Sequence, residues 1–221
     1  MLADDFPDMT RTDARTALVQ TWHLPTADHL RAAVTALADA WREGPWPTPD
    51  LLAYTAFTGT REHTLLTYSQ WSTPRAGNPG DESEISAHGG LRTTSTSCRF
   101  YRHQPGTGSG SREHVPFVVI QLAGPDPERQ RDWVDAVLHA HETDPAPAAG
   151  LGGIYFHLSD DGTRILHFSE WSGEQAHSDA LARPGWGVGS ATPEWELLRD
   201  YPGFEALSFT PLRREFHVTR P

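Results

Sequence analysis

In the stretch ILHFSEWS, residues 165–172, a histidine, a serine and a tryptophan stand two apart: His167, Ser169 and Trp171. Residues two apart in a strand share a face, so these three line one side while Leu166 and Phe168 line the other. An imidazole with an ordinary pKa of about 6.5 can accept a proton near neutral pH. A hydroxyl can donate or accept a hydrogen bond, and an indole offers a flat apolar wall. Such a face suits holding a flat ring and removing a proton from it. His167 and Trp171 are the candidate catalytic residues, with Ser169 as a substrate contact. The polar set is expected to face a cavity and the apolar set to pack under helices.

Further candidates lie nearby. His157, in the preceding strand, shares the face of His167 if the intervening turn has odd length, and faces away if it is a two-residue Asp161–Gly162 loop. His177 follows Trp171 by six residues, on the next helix and near the expected cavity mouth. Arg214, in the closing strand, could supply an oxyanion contact. Other patterns fail on spacing. His139 and His141 diverge by about 200° on a helix and cannot form an i,i+4 metal pair. SDDGT is a turn without the remaining ligands of a calcium loop, and GTGSGS has no Walker lysine. Cys98 is the one cysteine, so it has no CxxC partner and reads as a strand residue.

A hundred positions before ILHFSEWS stands LLTYSQWS, residues 65–72, with Leu, Ser, Trp and Ser identical and Thr67 in the place of His167. A match of this kind in a chain of 221 residues points to a duplicated fold. Net charge is −11 and no basic cluster is interleaved with aromatics, which argues against nucleic acid as a partner. The start is polar, without the apolar core of a signal peptide, and no apolar run reaches the roughly 20 residues that span a bilayer. The expectation is a cytoplasmic protein with no membrane partner.

The elements repeat in the same order. TALVQTW (16–22) is a strand, and Leu30, Ala33, Val34, Leu37 and Trp41 mark an amphipathic helix that starts near Thr26 or Asp28 and stops at Gly44. Residues 51–57 and 63–71 form a hairpin, a long loop follows, and 97–103 reads as the last strand. In the second half a strand at PFVVIQLAG precedes a helix capped by Asp126 with Pro127 at its first position. A hairpin, a helix opened by a Ser172/Gln175 capping box and a closing strand at 213–218 complete it. Each half is thus β-α-β-β-α-β, the ferredoxin-like arrangement. The expected organisation is a flexible tail (1–14), a first repeat (15–103), a linker (104–114) and a second repeat (115–221). The fold class is α+β, with two ferredoxin-like repeats packed sheet to sheet as an intramolecular dimeric α/β-barrel.

The order of elements, HFSEWS followed by the helix GEQAH, and the strands CRFYRH and RREFHV resemble the antibiotic biosynthesis monooxygenase family in a tandem, two-repeat form. The resemblance covers residues 15–218. It implies oxidation of aromatic polyketides, such as anthrones to quinones, by O2 with no cofactor. It also implies a substrate contacted by the strand-end tryptophan and by a polar residue four positions earlier: Trp171 with His167, and Trp71 with Thr67. The family pattern has Asn at the earlier position, and neither half keeps it.

The halves are unequal. STPRAGNPGD after Trp71 carries Pro74, Gly77, Pro79 and Gly80, which oppose a full helix, whereas the helix after Trp171 is intact. The second half is therefore expected to hold the better-formed pocket. The functional expectation is a cofactor-independent monooxygenase of a polycyclic aromatic substrate in secondary metabolism. Two alternatives stay open: a non-catalytic binding protein, and the same fold with haem oxidation or reduced-flavin ring opening. Exposed sheet edges leave a homodimer of the two-repeat chain open as well.

Overall fold

Thr26 marks the point where the first long strand gives way to a helix. Its hydroxyl accepts a hydrogen bond from the His29 N–H at 3.3 Å, satisfying one of the donors that a helix start leaves without a partner. The helix that follows buries Leu30, Ala33 and Leu37 at i, i+3 and i+7, as its spacing predicts. The computed structural model to which it belongs describes residues 2–3, 6–77, 79–108 and 114–220.

In chain order the elements are β1 (Leu2–Ala3), β2 (Thr16–His23), α1 (Ala27–Glu43), β3 (Leu51–Gly59), β4 (Thr64–Trp71), α2 (Glu82–Ala87), β5 (Leu91–Pro105), β6 (His114–Leu122), α3 (Pro127–Thr143), β7 (Leu151–Ser159), β8 (Arg164–Trp171), α4 (Glu174–Leu181), α5 (Pro193–Arg199) and β9 (Phe204–Thr219). The chain forms two units, one of residues 1–100 with 211–221 and the other of residues 101–210. The division cuts two long strands. The first ten residues of β5 belong to the first unit and its last five to the second, while β9 begins in the second unit and ends in the first.

In the first unit the antiparallel order is β5–β2–β4–β3–β9, with β1 beyond β9, and α1 and α2 join the sheet. In the second it is β5–β7–β8–β6–β9, with α3, α4 and α5. Each unit thus contains the four strands of a ferredoxin-like repeat and one added strand end beside the second of them.

The duplication extends to backbone irregularities. In both units the register shifts at the same point of the hairpin, between Leu51 and Ala53 and between Leu151 and Gly153, a bulge beside the strand-end tryptophan. Ser72 N–H donates to the Asp50 carbonyl at 2.9 Å, and Ser172 N–H to the Gly150 carbonyl at 2.8 Å. Trp71 Nε1 donates to Ser69 Oγ at 2.9 Å, and Trp171 Nε1 to Ser169 Oγ at 3.0 Å. The repeated Ser-x-Trp-Ser is therefore a bonded device. The first serine accepts the buried indole N–H, and the second ties the strand end to the hairpin's other arm.

Several expectations are corrected. Gly173, not Ser172, caps α4, with no side-chain hydrogen bond, and the Ser172 N–H that a capping box would offer to Gln175 donates to the Gly150 carbonyl. The short helices α2 and α5 and the early parts of β5 and β9 go beyond the sequence reading. Of the segment read as a flexible tail, Leu2 and Ala3 pair with Val218 and His217, and Met9 is buried. Gln104 and Pro105 belong to β5, while residues 109–113 of the expected linker lie outside the described residues. Among the described residues no helix is long and apolar enough to cross a membrane.

Candidate functional site

Trp133, Val137 and His141 stand four apart on α3 and so lie along one stripe of the helix. That stripe helps to line a cavity of about 260 Å³ within the second unit. The facing sheet contributes Ile154 from β7 and His167, Ser169 and Trp171 from β8. His177 of α4, Trp186 of the α4–α5 loop and Trp195 of α5 line it as well. The walls are mainly apolar, with four indole rings, and the polar side chains are three imidazoles and one hydroxyl.

His167, Ser169 and Trp171 therefore share a cavity face as expected, but the helices cover that same face. Leu166 and Phe168, expected beneath helices, lie on the opposite side, where Phe168 meets Phe117 with ring centroids 4.6 Å apart. The reason is that β3 and β4 bury every residue from Leu51 to Thr58 and from Thr64 to Trp71, and β8 buries all but Arg164 and His167, which are half-buried. A strand with both faces covered carries no amphipathic sign of which face the helices take.

His167 stacks on Phe156, centroids 4.5 Å apart and planes 16° apart, and its buried Nε2 has no hydrogen-bond partner. Burial, with the nearby His141 and His177 acting in the same direction, lowers its pKa to about 3. The imidazole is neutral at physiological pH but a weaker base than its ordinary value implies. His141 is lowered to about 4, again by burial, which outweighs the carboxylate of Asp144, and its ring meets Trp195 edge-on at 4.8 Å. His177 is buried, packs against Trp171 at 4.8 Å, and holds its Nδ1 3.3 Å from Nε2 of His114.

The α4–α5 loop is held by one carboxylate. Asp144 accepts from the Ser190 N–H (2.9 Å), the Ser190 hydroxyl (2.6 Å), Trp195 Nε1 (2.9 Å) and the Ala146 N–H (2.9 Å). Burial raises its pKa, but these bonds outweigh burial and hold it below the usual carboxylate range. Gly189 must lack a side chain, since a Cβ there would lie 2.0 Å from the Trp195 ring. Asp144→Ala is expected to lower stability by about 1.5–3 kcal/mol, the usual value of hydrogen bonds to a charged group. Urea unfolding and protease cleavage between 183 and 192 would check it, with faster cleavage expected as the loop is released.

The remaining candidates lie elsewhere. His157 pairs with Leu166, and Leu158 with Ile165, so the connection from 159 to 164 has even length and turns His157 away from the cavity. His157 is fully buried, edge-on to Phe168, with its pKa lowered to about 3 by burial. Arg214 belongs to the first unit, beside Phe57, and does not line the cavity. Thr67 and Trp71 are also in the first unit, both buried. There Tyr54, at the position of Ile154, donates to Asp81 Oδ2 at 2.7 Å, with the Thr67 hydroxyl beside both. Gly77 lies against the Trp71 ring, where an added Cβ would be 2.9 Å from it. Space that is cavity in the second unit is thus filled by phenol, carboxyl group and loop in the first. His141, Asp144, Trp186 and Trp195 were not among the expected site residues, although the spacing of 133, 137 and 141 places His141 on the stripe of Trp133.

The chain shares its α+β fold of two ferredoxin-like units with proteins of solved structure. Among solved structures the chain is similar to an anthrone oxidase-like protein, with a TM-score of 0.68 and 12% identity over 94% of each chain. It is also similar to a candidate monooxygenase from Fusobacterium nucleatum subsp. nucleatum, with a TM-score of 0.58 and 10% identity over 94% of this chain and 95% of the other. No family model matches the sequence, and no curated protein matches it.

Proposed function

We propose that the second unit is the active half of a cofactor-independent monooxygenase that oxidises a polycyclic aromatic polyketide, of anthrone or phenol type, to a quinone. The observation that carries this reading is the cavity itself, four indole walls around three imidazoles and one serine hydroxyl. Such a lining selects a flat apolar ligand with a few oxygen atoms, and the cavity lies just below the roughly 300–1,000 Å³ common for small-molecule sites.

The reaction needs the substrate as an enolate or phenolate, which passes one electron to O2. The radical pair recombines at the ring carbon to a hydroperoxide, and loss of water leaves the new carbonyl. The protein's part is to hold the ring, stabilise the anion and keep water from the radical pair. Trp171, fixed through its N–H to Ser169, is the wall. His167, neutral and with an unmet hydrogen bond at Nε2, orients a substrate oxygen.

The test is incubation of the purified protein with an anthrone in air, following O2 uptake and quinone absorbance. Turnover without added flavin or metal is expected. His167→Gln is expected to reduce kcat/KM about tenfold, the equivalent of one hydrogen bond. The low basicity of His167 favours a second reading, a binding protein without catalysis. Quenching of tryptophan fluorescence by the ligand, with no turnover, would establish that reading instead.

A further inference from the structure

Of the six large apolar side chains that are exposed among the described residues, three line this one cavity: Leu181, Leu207 and Phe209, which are 47, 52 and 39% exposed. Their places follow from local geometry. Leu181 stands four residues after His177 on α4, so the two lie on one stripe of the helix. Leu207 and Phe209 stand two apart on β9 and share a face of that strand. The ring of Phe209 is 5.5 Å from that of His177, which in turn lies 4.8 Å from Trp171. The wall thus runs from the buried Trp171, past the buried His177, to apolar side chains that are open to water.

Single exposed leucines are ordinary on a protein surface, whereas apolar side chains gathered at the mouth of a cavity mark a binding surface. This rim continues the lining of a cavity of about 260 Å³, smaller than the usual small-molecule site. A ligand of ordinary size that fills the cavity has to emerge from it, and it emerges over carbon. We infer that the ligand is a flat ring bearing an alkyl chain, with the ring against Trp171 and the chain over Leu181, Leu207 and Phe209. This rests on the reading of the cavity as a site for an aromatic ring. The rim then decides which ring compounds are taken and how they lie. Water leaves both chain and rim only when the ring enters with its alkylated edge outward. A hydroxyl or a charge at that edge would give up the same water and find carbon in its place.

The test is a series of anthraquinones carrying methyl, ethyl, propyl or pentyl at the same ring carbon, with binding to the full chain read by quenching of tryptophan fluorescence. Affinity is expected to rise about twofold for each added methylene, where full burial would give about fourfold, and so about 16-fold from methyl to pentyl. Leu181→Gln combined with Leu207→Thr, exchanges that suit a helix and a strand at exposed positions, should flatten the series to within about threefold. Trp171→Phe should weaken every member by one common factor and keep the slope. A flat series in the wild-type chain, or a slope that survives the double substitution, would overturn the inference. So would a flat series in a wild-type dimer that the double substitution dissociates, which would assign the rim to a second copy of the chain. A slope without O2 uptake on an anthrone would sink the oxygenase reading and leave the rim standing. Uptake with a flat series would do the reverse. Failure of every member to bind would end the reading of the cavity as a ring site, and the inference with it.

Discussion

Trp171→Ala is expected to weaken binding of a flat aromatic ligand at least tenfold, while Trp71→Ala leaves it within about twofold. Both indoles are almost fully buried and both donate to a serine two residues earlier. Each substitution should therefore cost similar stability, about 3–5 kcal/mol for a buried aromatic cut to a methyl group. The difference lies in what each ring faces. Trp171 lines the cavity and packs on His177, whereas Trp71 has the Gly77 backbone against its ring and the Tyr54–Asp81 pair filling the neighbouring space. Calorimetric titration with a hydroxyanthraquinone, beside urea unfolding of each variant, separates binding from stability. Trp171→Phe and Trp71→Phe, milder changes that keep a ring, should show the same asymmetry. Equal losses of affinity in the two variants would refute the assignment of the site to the second unit.

The asymmetry was legible in the sequence at one place and hidden at another. Pro74, Gly77, Pro79 and Gly80 announce that the chain after Trp71 cannot repeat α4. What fills the space instead depends on Asp81, which meets Tyr54 across 27 residues and which no local pattern announces. The Ser-x-Trp-Ser repeat identified the strand ends, because hydrogen bonds between residues two apart act through sequence-local geometry. The role of Arg214 was misjudged for the opposite reason. Its strand changes unit between residues 210 and 211, and composition does not state which sheet a long strand joins.

The same limit explains the inverted helix face. Alternation along β8 groups His167 with Ser169 and Trp171 correctly, since period two is intrinsic to a strand. Choosing the side that α3 covers needs the partner, and Trp133, Val137 and His141 at i, i+4 and i+8 supplied it only once packed. The neighbours that matter to His141 are Trp133 and Val137 on its own stripe, not His139 two residues before it. The role of Asp144 lay beyond sequence reading, because only its bond from the Ala146 N–H is local, while the donors of Ser190 and Trp195 are brought to it by tertiary packing.

Acidification from pH 7 to pH 5 is expected to destabilise the second unit by several kcal/mol. His157, His167 and His141 are held neutral by burial, with pKa values near 3, 3 and 4 in the folded chain. In the unfolded chain each returns to about 6.5. Between those limits the unfolded state binds more protons, so stability is complete above about pH 6.5 and falls as the pH drops. At about 1.4 kcal/mol per pH unit, each histidine forfeits about 2 kcal/mol by pH 5 and the three together about 6. Asp144, lowered instead, is silent in this window, because its contribution is lost only as the pH falls below the usual carboxylate range. Asp81 in the first unit is raised by burial and works in the opposite direction, so acid should unfold the second unit first. Urea titrations at pH 7, 6 and 5 would read the slope. His157→Phe, a ring of similar size without an ionisable group, should remove about a third of it while leaving the cavity face untouched. A midpoint independent of pH across this range would mean that the three imidazoles are not held neutral, and the role of His167 as a neutral hydrogen-bonding group would fall with it.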